Sequence, residues 1–512
     1  MGETAVETEV VVIGGGPGGY AAAFRAAQQG LGTTLISDES QGLGGVCLLR
    51  GCIPSKALLE MTGRIDLARE AGEAGIGFSE PDVDTGKLRD WCSGVVEALT
   101  SGLESLAEEK GVRIIQGRAR FESSSRLRVD DSEVTAVEFG HAVVATGARP
   151  VELPDLPFGG PVWDSERALA LEEIPERLLV VGAGYVGLEL GTVYARLGSS
   201  VTVVEMEDRI LPMVDPDLVK PLAERLGERF EEIRLETRVE GAEVKDDEVT
   251  VKLSGGEETF DRVLVAVGRE PVTEDLGLEE TGVERDEDGF LLVDETRRTG
   301  DERIFAVGDC TGGWGLAHEA MAEGKVAADI LAGKPAAWDV RAVPAVVYTD
   351  PQIAWCGLME DKARAGGGEV EVGRFPFTSS GRARTMGVSA TEGLVKLVAD
   401  GNTGRLLGMG VTGRHVEALV AEAALALEMG ATAMDLALTI HPHPTLSEAL
   451  MEAAEILLGL PTHHTTSGGA GSGSAAKRGD GEDEGDGGDG DPEADAESGD
   501  GDKDADGEEE ER

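Results

Sequence analysis

The sequence predicts an α/β protein with a separate α+β domain on its C-terminal side, and three observations carry that prediction. A strand, a Gly-rich turn and a helix follow one another near the start of the chain and again 168 residues later. Residues 340–460 then change character, with strand-like runs at 342–348, 393–397 and 406–411 and helical ones at 416–429 and 446–458. After Thr466 the composition collapses to Gly, Ser, Asp and Glu, with 18 acidic and 4 basic residues in 467–512. Such a segment cannot bury enough apolar surface to fold and is expected to be disordered.

The first repeat runs Glu9-Val10-Val11-Val12-Ile13, then Gly14-Gly15-Gly16-Pro17-Gly18-Gly19, then an Ala-rich helix over 20–29. The second runs Leu178-Leu179-Val180-Val181, then Gly182-Ala183-Gly184-Tyr185-Val186-Gly187, then a helix over 188–197. Each leads into another apolar strand, 33–36 and 201–204. One G-x-G-x-x-G is weak evidence, but two in this context predict two Rossmann-like dinucleotide-binding domains. The first Gly (Gly14, Gly182) permits the tight turn. The second (Gly16, Gly184) lets a pyrophosphate approach the backbone, and the third (Gly19, Gly187) lets helix pack on strand. The helix N-terminus then offers free N–H groups and a positive dipole end to the phosphates.

Glu205 follows Gly182 by 23 residues, at the end of the second strand of its unit. A carboxylate there accepts hydrogen bonds from ribose hydroxyls and repels a 2′-phosphate, which favours NAD over NADP. The same offset from Gly14 falls on Ser37, so Asp38 or Glu39 is the candidate acidic contact in the first unit.

Between the two loops lies Gly44-Gly45-Val46-Cys47-Leu48-Leu49-Arg50-Gly51-Cys52-Ile53-Pro54-Ser55-Lys56. Only five cysteines occur, an odd and sparse set that is no disulfide framework, so the close pair reads as catalytic. In a regular helix positions i and i+5 lie about 8–9 Å apart, whereas a disulfide needs less than about 7 Å. The pair therefore requires a distorted stretch, which Gly51 and Pro54 supply. A thiol pair also needs a base. The run His441-Pro442-His443-Pro444-Thr445-Leu446-Ser447-Glu448 offers His443 held by Glu448, with His441 as the competing candidate.

The formal net charge of −52 argues against nucleic acid or an anionic membrane as partners. Arg outnumbers Lys by 34 to 12, and with the acidic excess the composition is of the kind found in salt-in halophiles. Cys and His show no zinc-like spacing, so no metal is expected. The first nine residues carry three Glu and no basic-then-apolar pattern, and no run of about 18 apolar residues follows. A cytoplasmic protein with neither signal peptide nor membrane span is the expectation.

From about Glu9 to Pro461 the chain resembles the flavin disulfide reductases, and among them the dihydrolipoamide dehydrogenases. The resemblance rests on both Gly loops, the Cys47–Lys56 run, Ala145-Thr146-Gly147, Val267-Gly268-Arg269, Ala306-Val307-Gly308-Asp309 and the His443–Glu448 run. It implies FAD and NAD as cofactors and a homodimer serving a lipoyl-bearing acyltransferase or glycine-cleavage carrier protein. It implies an FAD-binding domain at 1–150 and 271–339, an NAD-binding domain at 151–270, a dimerisation domain at 340–462 and a tail at 463–512. By matched position, Cys47 exchanges with the substrate dithiol and Cys52 faces the flavin as a charge-transfer thiolate. Lys56 lies near flavin N5 and pairs with Glu189, while Asp309 contacts the ribityl or phosphate region. Thr146, Gly147, Gly268 and Ala317 join the cofactor-binding set. His443, oriented by Glu448, reaches the disulfide of the other subunit. Two rivals stay open: a reductase of the same fold acting on another disulfide, and a non-catalytic scaffold subunit.

Two positions depart from the family pattern. Leu49 stands where Asn is common, and Arg50 beside it either favours a thiolate or points to solvent. Tyr185 is bulkier than usual after the second Gly, as in glutathione reductases, and would cover a nicotinamide pocket.

Overall fold

A computed structural model describes residues 4–245, 247–387 and 389–465. The expected disordered tail lies outside the described residues from Thr466 onward. Among the described residues the first sheet has seven strands. Its parallel centre orders Arg113–Gln116, Thr33–Ser37, Ala5–Ile13 and Ala136–Val144, with Ile304–Ala306 also parallel on the last of these. Arg126–Asp130 and Arg118–Ser123 continue it antiparallel. The second sheet is wholly parallel, in the order Glu232–Arg234, Ser200–Val204, Arg177–Val181, Arg262–Val265, Val162–Trp163.

The strand before each Gly loop is central to its sheet, with both faces covered. Val10, Val11 and Val12 are buried, and so are Leu178, Leu179 and Val180. Continuous apolar runs of this kind are what a parallel strand covered on both faces requires. Each sheet opens its switch point beside the Gly loop, which is where ligands bind in doubly wound sheets.

A third large sheet is antiparallel and orders Ala345–Val347, Gln352–Gly357, Leu406–Gly413, Leu394–Asp400 and Val370–Pro376. The helices Val420–Glu428 and Glu448–Leu457 pack on it through Ala423, Leu427, Leu450 and Ala453, and Ala433–Leu438 packs on Glu448–Leu457. One apolar cluster joins the second sheet to this third one, uniting Leu218 and Leu222 with Ile353 and Met359. Beside it Lys396, 2% exposed, meets Asp215, Asp217 and Glu360 at 2.7, 2.9 and 2.8 Å. Three carboxylates around one ammonium offset the desolvation that would expel a lone buried charge.

Candidate active site

The two Gly loops share one geometry. Gly14 has φ +109° and Gly182 φ +102°, values that disfavour any side chain. A Cβ on Gly14 would sit 2.2 Å from the Ala145 carbonyl oxygen, and one on Gly182 2.4 Å from that of Ala266. The third glycines pack on the first: Cβ atoms on Gly19 and Gly187 would meet the Gly14 and Gly182 oxygens at 1.9 and 2.2 Å. The middle glycines differ. Gly16 has nothing nearer than 3.9 Å and Gly184 nothing within 4 Å, so the space a Cβ would take is open. Both N-cap a helix, Pro17–Gln28 and Tyr185–Arg196. Open backbone at a helix N-terminus is the cradle a pyrophosphate fills, so the residues fit the dinucleotides FAD and NAD.

A cavity of ≈ 550 Å³ opens over the first loop. Gly14, Gly16, Asp38, Cys47, Cys52 and Lys56 line it, with Thr146, Gly147, Glu189, Asp309 and Ala317. Gly19 lies behind the loop, and Gly182, Gly184, Gly187, Glu205 and Gly268 lie outside this lining. The second loop reaches the cavity through Tyr185 and Val186.

The cysteine stretch is broken where the pair needs it. The helix Gly45–Arg50 stops at Gly51, whose φ −140° and ψ −109° are not helical, and a new helix, Cys52–Ala71, begins. The re-aimed Cys52 is open to the cavity yet has protein on most sides, and its sulfur is hydrogen bonded to that of Cys47. Both are free thiols. That hydrogen bond, with the Lys56 ammonium and against burial, pushes the Cys52 thiol down to about 7. The same bond and burial push Cys47 up, so the first proton lost by the pair comes from Cys52. Arg50 takes neither course open to it in the sequence. Its guanidinium is held along the cavity wall by Glu39 and Glu166. This commits Glu39, while Asp38 stays exposed at the rim, 3.9 Å from Arg118.

Lys56 Nζ lies 2.7 Å from Glu189 Oε2. Burial works against its charge, but Glu189 outweighs burial and Lys56 is held as an ammonium. Glu189 Oε1 accepts from the Tyr348 N–H at 2.9 Å, and the Tyr348 ring faces Lys56 with its centroid 4.8 Å from Nζ. Burial pushes the Asp309 carboxyl up, opposed by Arg269 at 3.9 Å. The Thr146 hydroxyl donates to the Val272 carbonyl at 2.6 Å, which ties this turn to the strand pair Ala148–Pro150 and Arg269–Pro271. Glu205, just past Ser200–Val204, accepts from the Ala183 N–H at 2.7 Å and the Glu207 N–H at 3.0 Å, which seats its carboxylate against the second Gly loop.

His443 and Glu448 lie apart from the cavity. His443 Nδ1 is 2.7 Å from Glu448 Oε1, and the Thr445 N–H donates to Oε2 at 2.7 Å. Burial raises the Glu448 carboxyl, but these two donors outweigh it and hold it below the usual range. The His443 side chain is 74% exposed, and among the described residues its Nε2 has no hydrogen-bond partner. His441 is the reverse: 4% exposed, with Nε2 on Glu422 and Nδ1 on the Thr439 carbonyl. Tyr348 is the contact that sequence reading passed over. It ends a strand-like run, but nothing local marks its ring as facing a lysine.

Comparison with known proteins accords with this geometry. Residues 8–324 match the family described as pyridine nucleotide-disulphide oxidoreductase, and residues 343–454 match the dimerisation domain of the same family. A dihydrolipoyl dehydrogenase of Halobacterium salinarum is 48% identical over 473 residues, covering 90% of this chain and 99% of that one. The Thermus scotoductus dihydrolipoyl dehydrogenase is also 48% identical, over 88% of this chain and 97% of its own. Among solved structures, LpdA from Mycobacterium tuberculosis superposes with a TM-score of 0.82 at 30% identity, over 88% of this chain and 99% of that one. The HOCl-induced flavoprotein disulfide reductase RclA from Escherichia coli gives 0.78 at 28%, over 86% and 98%. The chain belongs to the pyridine nucleotide-disulphide oxidoreductase family, among the dihydrolipoyl dehydrogenases.

Proposed function

We propose that this chain is an FAD-dependent dihydrolipoyl dehydrogenase that reoxidises protein-bound dihydrolipoyl groups with NAD. The observation that carries the reading is the hydrogen-bonded Cys47–Cys52 pair, with Lys56–Glu189 beside it, on the wall of a cavity that both Gly loops border. Bound flavin supplies the two-electron relay between the dithiol and NAD. The chain's own residues do the rest. In the oxidised pair a substrate thiolate attacks Cys47 Sγ, forming a mixed disulfide and releasing Cys52 as a thiolate, which its low pKa and Lys56 stabilise. The second substrate thiol then attacks the mixed disulfide, closing the lipoyl disulfide and returning Cys47 as a thiol. His443 takes the proton of the first attacking thiol, gives it to the Cys47 sulfur as that departs, and takes the proton of the second thiol; its Nδ1 is fixed by Glu448 so that Nε2 is the basic nitrogen.

The His443–Glu448 pair is proposed to serve the cavity of a second copy. Its own cavity does not include it, and the match to a dimerisation domain supports pairing. So do the large apolar side chains that this domain leaves exposed, Leu425, Met429, Leu438 and Ile440, the last 96% exposed. The domains are assigned as 1–150 with 271–339 for FAD, 151–270 for NAD and 340–462 for dimerisation. The partner is a lipoyl-bearing acyltransferase or glycine-cleavage carrier protein. The compartment is the cytoplasm of a halophile, on the strength of the acidic composition and the haloarchaeal relatives. Among the described residues no helix is long and apolar enough to cross a membrane, and no cluster of His, Cys, Asp and Glu could hold a metal ion. The test is NAD reduction by dihydrolipoamide across a range of KCl concentrations. Turnover that needs both cysteines supports the reading, and NADH oxidation without any dithiol turnover overturns it.

A further inference from the structure

Tyr348 follows the strand Ala345–Val347 of the antiparallel C-terminal sheet by one residue. Its backbone N–H and its ring act on the two members of one ion pair. The N–H donates to Glu189 Oε1, and the ring stands 4.8 Å from the ammonium whose other contact is Glu189 Oε2. Glu189 is buried on the helix that follows the second Gly loop, and Lys56 is on the helix that starts at Cys52. Three separate stretches of chain therefore meet at one ammonium, and that ammonium acts electrostatically on both Cys47 and Cys52. A cation facing an aromatic ring in a partly desolvated site is held by the ring's negative face.

Resting on the proposed redox role of the cysteine pair, we propose that Tyr348 is a positioning residue: its ring holds the Lys56 ammonium between Glu189 and the thiols. The charged and titratable groups around that ammonium are Glu189 and Tyr185 on one helix, Cys52 on its own helix, Cys47 on the preceding one and Tyr348 itself; Glu417 acts on Tyr348 in turn. Tyr348 contributes its ring face and not its hydroxyl, so phenylalanine suffices at this position. An aliphatic residue keeps the N–H bond to Glu189 but frees the lysine to swing away from the thiols.

The experiment uses the FAD-loaded full chain in high salt. The long-wavelength absorbance of the two-electron-reduced enzyme, which reports the Cys52 thiolate, is titrated with pH in the wild type, Tyr348→Phe and Tyr348→Leu. Tyr348→Phe is expected to titrate with the wild type. Tyr348→Leu is expected to need a higher pH for the same band and to lose about tenfold in kcat/KM for dihydrolipoamide, the scale of a desolvated cation–π contact. A series of ring-fluorinated phenylalanines at 348 keeps the volume and drains the ring face, so the midpoint should climb with each fluorine even if the Leu variant does not fold. A midpoint that is flat across the fluorinated series overturns the proposal. A wild type with no thiolate band at all would instead overturn the redox role of the cysteines.

Discussion

His443 and Glu448 are hydrogen bonded at 2.7 Å on a surface that does not border the cavity of Cys47 and Cys52. In the proposed role of base and orienting carboxylate, the pair lacks within one chain a thiol to serve. His443→Gln should therefore cost about 10²–10⁴-fold in dihydrolipoamide turnover, the usual worth of a general base. NADH oxidation by an artificial acceptor, which needs no proton taken from a dithiol, should fall far less. Steady-state assays of both reactions check this.

The Cys52 thiol, pushed down to about 7 while Cys47 is pushed up, should set the pH behaviour of the reduced enzyme. Proton loss makes the thiolate, so its long-wavelength band should grow as pH rises through about 7. Cys52→Ser should remove the band at every pH. Persistence of the band in that variant would assign the flavin-facing role to Cys47.

Glu205 has its carboxylate seated against the second Gly loop, with Glu207 and Asp208 following it in the chain. A 2′-phosphate would meet this acidic stretch in place of a ribose hydroxyl. Losing a hydrogen bond to a charged group costs on the order of 1.5–3 kcal/mol. NAD should therefore exceed NADP in kcat/KM by at least tenfold, and Glu205→Gln should narrow the ratio. Equal kcat/KM for the two coenzymes in the wild type would count against this placement.

Lys396 and its three carboxylates tie the third sheet to the start of the helix Pro216–Arg229. Removing the cation takes from buried Asp215 its cationic partner, while Asp217 and Glu360 keep Arg374, so Lys396→Ala should cost about 3–5 kcal/mol of folding stability, as breaking a buried ion pair does. Glu360 is held down to about 2 by Lys396, Arg364 and Arg374 against the pull of burial. A depressed carboxylate stabilises the fold above its ordinary pKa, and that contribution is lost as pH falls toward about 2. The stability gap between wild type and Glu360→Gln, read from denaturant unfolding, should thus close between about pH 4.5 and 2.

Much of the site was legible because its parts are local. A Gly turn between strand and helix, two cysteines around a helix break, and a His five residues before a Glu each sit within one short stretch, and backbone geometry dictates their spacing. The alternation after residue 340 likewise gave the strands Leu394–Asp400 and Leu406–Gly413 and the helix Glu448–Leu457. What stayed hidden depends on distant partners. Arg50 looked like a neighbour of the thiols, but its charge goes to Glu39 and Glu166, the latter 116 residues away. Tyr348 reaches Glu189 across 159 residues, and no periodicity in the chain encodes that meeting. The antiparallel strands Val239–Lys245, Glu248–Leu253 and Gly256–Phe260 went unread, since their charged, exposed faces resemble loop.

The acidic composition makes a further expectation about conditions. A formal charge of −52 repels itself at low ionic strength, and salt screens that repulsion over a Debye length of about 3 Å at 1 M against 10 Å at 0.1 M. Thermal stability and activity should both rise with KCl into the molar range. Deleting 467–512 removes −14 of the −52 and should leave kcat nearly unchanged at high salt. Melting curves and rates across a salt series, for full-length and shortened chains, check both statements.

We infer that the base of one chain serves the thiols of another. Mixing two inactive variants, Cys47→Ser and His443→Gln, under conditions that exchange subunits decides it. Each mixed dimer pairs one intact Cys47–Cys52 site with one intact His443–Glu448 pair from the other chain. Dihydrolipoamide turnover should partly return on mixing, in step with the mixed dimer seen by native mass spectrometry. Mixed dimers that form and remain inactive would contradict the account and confine His443 to its own chain.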